Sequence, residues 1–237
     1  MEVTGRIVSV RRATPSARIV RVDLLGADFK YKAGQSVLIG PGGTDVRVPY
    51  SISGAPKEAS ESGQLEFLIK VDSSARWGEH FGPLARGSSM VVDGPYGSFV
   101  LPEHPRERRF VFIAGGTGIA PLRAMIQHAI LTGHPPGTRH LLYSARSPSD
   151  FAYLSELRAL ARRGEIQLIL TATRERTPRW SGARGRIGTS HLAPLLGDPA
   201  TLYFVCGPAA MIDDVPPMLR SLGVEAARVR VEEWWFA

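Results

Sequence analysis

Three glycines and a threonine, Gly115, Gly116, Thr117 and Gly118, follow closely on the apolar run Phe110, Val111, Phe112, Ile113. The run has the length and composition of a strand buried on both faces. Beyond the glycines, Leu122, Met125, Ile126, Ala129 and Ile130 recur at helical spacing, and Pro121 suits a first helical turn. Strand, glycine turn and helix make a nucleotide-binding arrangement. Residues without side chains let the backbone approach a pyrophosphate, and the exposed N–H groups and positive dipole end of the helix favour its charge. Gly-Gly-Thr-Gly differs from the G-x-G-x-x-G dinucleotide fingerprint, so further residues must define the ligand.

Two further groups supply that definition. Cys206, Gly207 and Pro208 end a second apolar run, at the place where ligands bind in open α/β sheets. Sites for NAD usually place a carboxylate on the ribose 2′-hydroxyl after the second strand, whereas this chain offers Ser144, Ala145 and Arg146 there. Thr173 and Arg174 close the third strand, and Arg176, Arg184 and Arg186 follow. Forked guanidinium groups suit a phosphate, so the charge pattern favours NADP(H), with NAD(H) left possible by the adjacent Glu175.

Composition removes several classes. The single cysteine excludes an internal disulfide framework and a four-cysteine iron-sulfur centre within this chain, and six scattered histidines give no metal-ligand spacing, so no metal site is expected. No apolar run approaches membrane-spanning length, and the N-terminus lacks the apolar core of a signal peptide. A cytoplasmic protein without membrane contact is expected. The net charge is +7, with only Lys30, Lys32, Lys57 and Lys70 as lysines. An arginine-rich surface can meet an acidic partner, or it can reflect codon usage alone; the basic residues form no long block of the kind that marks a nucleic-acid-binding segment.

The positioning elements divide in two. Short β-prone runs at residues 7–10, 18–24, 36–39, 65–71 and 90–92 predict an antiparallel barrel or sandwich, with one short helix at 75–84. Residues 101–109, with two prolines and five charges, read as a linker. Strands and helices then alternate, predicting a parallel sheet of five strands covered by helices. The boundary is placed between 104 and 105. Asp150 is a candidate N-cap for a helix over 151–163. The segment after Cys206 should be helical, yet Pro216 and Pro217 predict a kink or two short helices.

Gly115 to Pro121 with Ile119 and Ala120 between resembles the GGTGIAP motif of the ferredoxin–NADP(H) reductase superfamily. Tyr50-Ser51, the turn from Tyr31 to Gln35, Gly94 to Phe99, Cys206-Gly207-Pro208 and the aromatic C-terminus match other parts of that pattern, across nearly the whole chain. The resemblance implies an FAD-binding antiparallel β-barrel followed by a Rossmann-like NAD(P)-binding domain. It places Tyr50 on the isoalloxazine and the Ser51 hydroxyl near flavin N5, within a strand that includes Val48 and Pro49. Val48 stands where the family has an arginine for the pyrophosphate; Arg47 is one step away and would reach the phosphate side only through a bulge. Ile69, Lys70, Val71, Arg76 and Gly78 are the other implied FAD contacts, although the family's serine is missing from Arg76 to His80.

By the same resemblance, Gly116, Thr117, Gly118, Arg146, Thr173, Arg174, Cys206, Gly207 and Pro208 hold the pyridine nucleotide. Cys206 lies beside the nicotinamide. Aligned on Val231-Glu232, Glu232 takes the place of the active-site carboxylate and Trp234 that of the aromatic covering the flavin. Ser51, Cys206 and Glu232 are thus the implied catalytic residues. The implied activity moves electrons between NADPH and a one-electron carrier, an acidic ferredoxin or flavodoxin, through a monomeric reductase. Reduction of free flavin, ferric chelates or quinones is the alternative enzyme reading. A non-catalytic nucleotide-binding subunit is the third, suggested by Val48.

Overall fold

The computed structural model describes residues 1–71, 84–103, 106–135 and 137–232. Six antiparallel strands come first: β1 (Glu2–Thr14), β2 (Ala17–Asp23), β3 (Ser36–Pro41), β4 (Val48–Ser51), β5 (Gln64–Lys70) and β6 (Ser89–Tyr96). They join in the order β4-β3-β6-β1-β2-β5. Alternation sends Val20, Val22, Val37, Ile39, Phe67 and Ile69 into one interior core. The sheet is barrel-like but not closed by a ladder, and a single bridge from Ile52 to Phe67 links its β4 and β5 edges. Two register shifts against β2 accompany the bending of β1.

Between β4 and β5 lies α1 (Pro56–Ser62), a helix absent from the sequence expectations. Pro56 begins it and Gly63, at φ 68°, ends it; none of its residues is buried, so no apolar periodicity announces it. The helix expected at 75–84 falls, except for Leu84, outside the described residues.

The second sheet is parallel throughout, from β7 (Arg109–Gly115), β8 (Arg139–Ala145), β9 (Gln167–Ala172), β10 (Ala183–Arg184), β11 (Thr201–Cys206) and β12 (Val229–Val231). Its order is β10-β9-β8-β7-β11-β12, so the five expected strands gain a sixth at one edge. A two-residue strand has no periodicity to read. It forms because Trp180 Nε1 donates to Ala183 O and fixes the loop against β9.

The order reverses between β7 and β11, which makes the mouth between their carboxyl ends a topological switch point. Helices α2 (Ile119–Leu131) and α3 (Leu154–Arg162) flank one face; α4 (Thr189–Leu192) and α5 (Ala209–Ser221) flank the other.

Two helix expectations are corrected. Asp150 does not cap α3. Its carboxylate accepts from the Ser147 N–H and hydroxyl, closing a capping box on the preceding single turn. Phe151 is buried between Tyr143 and Trp180, and Tyr153 holds a left-handed φ of 59°, so the helix starts three residues late. The segment after Cys206 is one helix with both prolines inside, rather than two short ones. Neither proline has an N–H to donate along the helix, and buried Val215, Pro216 and Leu219 pack it on the sheet.

The two sheets are not loosely tethered. Ala17, Ile19, Ala33, Leu68 and Phe99 from the first half share a core with Phe112, Met125 and Phe204 of the second. The expected linker is anchored too, with Leu101 buried, its N–H on Ala33 O, and Arg230 Nη1 on Val100 O. Residues 104 and 105, the expected boundary, lie outside the described residues.

Candidate active site

A cavity of about 790 Å³ opens between the barrel strand β4 and the carboxyl ends of the parallel strands. Where Ser51 and Cys206 line it, three side chains from three distant segments converge, Glu232 lying buried behind the other two. Ser51 ends β4, Cys206 ends β11, and Glu232 follows β12, whose pairing of Val231 with Val205 brings the carboxyl beside the thiol. Ser51 Oγ donates to Glu232 Oε1 at 3.0 Å and Cys206 Sγ to Glu232 Oε2 at 2.6 Å. All three are buried. Burial pushes the Glu232 carboxyl up to about 7, against the lowering effect of the bonds from Cys206 and Ser51. The Cys206 thiol is raised well above its ordinary range, first by burial and then by the Glu232 charge. It is a neutral thiol at physiological pH rather than a nucleophile.

The glycine turn lines the next part of the cavity. Gly116 to Gly118 form one tight turn leading into α2. A Cβ at Gly118 would stand 2.4 Å from Cys206 O, and one at Gly115 would stand 2.7 Å from Met211 Sδ. These two glycines therefore let the turns after β7 and β11 close on each other. Gly116 differs: at φ 55° nothing lies within 4 Å of where its Cβ would be, and Tyr143 Oη holds its carbonyl at 2.9 Å. The backbone there is open to a ligand.

The far end is cationic. Arg146, Thr173, Arg174 and Arg186 line it, and the backbones of Thr173 and Arg174 are held on Ala145 O and Arg146 O. Among the described residues no carboxylate pairs with these three arginines. Arg184 is turned away, donating to Thr177 O and Trp180 O, and Arg176 does not line the cavity. Glu175 accepts from the Thr177 N–H, so its carboxylate is engaged locally; Asp150, also on the cavity wall, is engaged with Ser147.

On the barrel side Val48, Pro49, Tyr50 and Ser51 line the cavity, with Leu68 and Lys70. Arg47 does not. It lies just before the β3–β4 ladder, which begins at Val48, and its guanidinium is turned away, donating to Thr44 O and Val46 O and pairing with Glu2 at 3.4 Å. Strand alternation also takes the side chains of Ile69 and Val71 to the barrel core, leaving only their backbone for a ligand. Arg76, Gly78 and Trp234 lie outside the described residues. Sequence reasoning missed Thr14 and Ser16, which reach the wall because Ala17 pairs with Lys70 across the sheet; no local signal marks them. It also missed Asp214 and Val215 on α5.

A barrel-like antiparallel domain packed on a parallel sheet, with a glycine turn and an acid–thiol–hydroxyl cluster at the switch point, is the architecture of two-domain nucleotide-dependent oxidoreductases. Residues 112–216 match the family model for the oxidoreductase NAD-binding domain. Ferredoxin–NADP reductase B of Sorangium cellulosum (strain So ce56) is 34% identical over 245 residues, covering 97% of this chain and 96% of that one. In fold, the chain is similar to a ferredoxin NADP⁺ reductase from Neisseria gonorrhoeae with bound FAD and NADP, with a TM-score of 0.82, 20% identity and 98% of each chain covered. It is similarly close to the flavohem-like FAD/NAD binding domain of nitric oxide dioxygenase from Vibrio cholerae O1 biovar El Tor, with a TM-score of 0.81, 22% identity and the same coverage. The chain belongs to the ferredoxin–NADP(H) reductase superfamily of oxidoreductases.

Proposed function

We propose that this protein is an FAD-containing reductase that takes electrons from NADPH and delivers them to an acidic one-electron carrier such as a ferredoxin or flavodoxin. The observation that carries the reading is the Ser51–Glu232–Cys206 cluster, which joins the barrel strand end to the switch point where a nucleotide would lie. The residues present fit both cofactors. Tyr50 and Ser51 offer an aromatic face and a hydroxyl, the open backbone at Gly116 admits a pyrophosphate, and three arginines suit a 2′-phosphate. When bound, FAD would supply the conversion between a two-electron hydride and single electrons.

The chain's own residues bind, orient and shield. Tyr50 and Ser51 would hold the flavin ring from the barrel side, and Lys70 with Thr14 and Ser16 would offer a charge and two hydroxyls to the rest of the dinucleotide. Gly116, Thr117 and Gly118, with Gly207 and Pro208, would hold the pyridine nucleotide, and the neutral, polarizable thiol of Cys206 would suit contact with its planar ring. Glu232 holds or releases a proton near neutral pH beside Ser51. In this reading Trp234 would cover the open flavin face, and the proposed domain boundary is 104/105. No helix among the described residues is long and apolar enough to cross a membrane; the proposed setting is the cytoplasm, as a monomer.

The direct test is the colour of the purified protein. A flavin spectrum, release of FAD rather than FMN on denaturation, and anaerobic bleaching by NADPH in preference to NADH are expected. One observation favours a second reading. With Val48 at the family's arginine position and Arg47 turned to Glu2, the chain could be a nucleotide-binding subunit without its own flavin. Failure to retain FAD after reconstitution with excess cofactor would establish that reading instead.

A further inference from the structure

A buried ionic cluster, separate from the acid–thiol cluster, crosses between the two halves of the molecule. Arg123, on α2 five residues beyond Gly118, is 6% exposed. Its Nη1 donates to Ser53 O at 2.7 Å and to Glu66 Oε1 at 2.9 Å, while Nε and Nη2 fork onto the Glu156 carboxylate at 2.9 to 3.1 Å. Tyr153 lies under the guanidinium at 4.3 Å and sends its hydroxyl to Ser53 Oγ and Glu66 Oε1, both at 3.1 Å. The other oxygen of Glu66 accepts from Arg21 Nε at 2.8 Å. Barrel residues thus supply Ser53, Glu66 and Arg21, and the parallel-sheet half supplies Arg123, Tyr153 and Glu156.

Two features set this cluster apart from ordinary docking. The apolar interface already glues the halves together, but apolar burial is non-directional and tolerates sliding. Forked, charge-assisted bonds fix angle and register. Tyr153 also adopts a left-handed φ of 59°, a conformation unfavourable for a residue with a side chain. That conformation delivers its ring and hydroxyl to the cluster.

We infer that Arg123, with Glu66, is a positioning pair that sets the distance between the Ser51 strand end and the Gly116–Gly118 turn. The link is short on both sides: Ser53 lies two residues beyond Ser51, and α2 grows directly from the glycine turn. In the proposed reductase, on which this inference rests, these are the seats of flavin and nicotinamide. Misplacing reacting groups by about 1 Å can slow a reaction by about a hundredfold. Buried ion pairs replaced by apolar groups of similar volume often leave stability unchanged or raised. Geometry and stability therefore separate.

The test compares wild type with Arg123→Met/Glu66→Leu/Glu156→Gln, which leaves neither carboxylate partner of Arg123 charged and unpaired, in the full-length, flavin-loaded protein. Thermal stability within about 3 °C of wild type is expected. The rate of anaerobic flavin bleaching at saturating NADPH should fall by about tenfold or more, with the NADPH dissociation constant changed less than about threefold. Hydrogen exchange should rise in peptides covering residues 51–54 and 115–119. Wild-type bleaching rate and exchange in the variant would overturn the positioning role. If that variant does not fold, Arg123→Lys replaces it, keeping the charge but losing the fork that fixes angle and register, with a smaller loss of rate in the same direction expected and an unchanged rate again overturning the role. If wild-type protein is not bleached by either nucleotide, the reductase reading fails, and exchange at the two segments alone decides the inference.

Discussion

Ser51 and Glu232 stand 181 residues apart in the chain and share a hydrogen bond of 3.0 Å. One ends a barrel strand and the other follows the last strand of the parallel sheet, so the bond exists only when both halves are docked. Its carboxyl partner is buried and its pKa is raised to about 7 from the ordinary 4.5. A carboxyl with a raised folded pKa is proton-bound in the folded state while the unfolded chain has already released its proton. Its favourable contribution is fully present below about pH 4.5 and is lost as pH rises through about 7. Glu232→Gln should abolish this loss. The variant should gain stability over wild type between pH 5 and 8 by on the order of 3 kcal/mol, read from denaturant midpoints across that range. Parallel pH curves for the two proteins would remove Glu232 from any titration near neutrality.

Nucleotide choice should follow the arginines that face the cavity. Arg174→Ala and Arg186→Ala should each raise the KM for NADPH by a factor corresponding to about 1.5 to 3 kcal/mol, the value of one hydrogen bond to a charged group. KM for NADH should scarcely move. Arg184→Ala is the control, since that side chain is tied to Thr177 O and Trp180 O instead. Steady-state kinetics with both nucleotides decides the matter, and equal effects on NADPH and NADH would place the arginines away from the 2′-phosphate.

Gly118→Ala should be costly although its φ of −61° is ordinary for alanine. The added methyl would meet Cys206 O at 2.4 Å and Gly207 N at 2.8 Å, both backbone atoms that cannot swing aside. Pushing apart the turns after β7 and β11 should cost about 1 to 3 kcal/mol of stability and weaken nucleotide binding. Gly116→Ala has open space around it in the protein and should cost only the strain of a positive φ, about 1 kcal/mol, while its methyl would crowd the proposed pyrophosphate and weaken nucleotide binding as well. Calorimetry with and without NADP⁺ separates the two.

The basic surface gives a salt-dependent expectation. Encounter with an acidic carrier is steered by charge, so the rate of electron delivery to a ferredoxin or flavodoxin should fall as salt rises from about 0.01 to 0.5 M, across the range where screening lengths shrink from about 30 Å to a few ångströms. Reduction of a small neutral acceptor should change little. The same dependence for both acceptors would leave codon usage as the source of the arginines.

The local elements were legible because their signals are local. The glycine turn after β7, the apolar strand ending at Cys206 and the alternation of strands and helices each follow from residue types and short spacings, which fix backbone geometry within a few residues. The motif pattern also picked out Ser51, Cys206 and Glu232, which the fold brings together. What sequence left unreadable depends on pairing across long separations. Arg47 stood beside the expected phosphate position, but bonds to Thr44 O, Val46 O and Glu2 hold it away, and strand alternation sent Ile69 and Val71 into the barrel core.

Thr14 and Ser16 entered the cavity wall only through the register of β2 with β5. Helix α1 buries none of its residues and so leaves no period to detect, whereas α5 keeps two interior prolines because its packing outweighs two missing bonds. By itself the chain determined where most of the strands and the larger helices fall and which of their residues carry charge or a thiol. Only the tertiary structure decided which of those residues meet. A strand's facing residues, the reversal between β7 and β11, and the bonds from Arg123 to Ser53 and Glu66 are set by pairings between segments far apart in sequence, where no local propensity reaches.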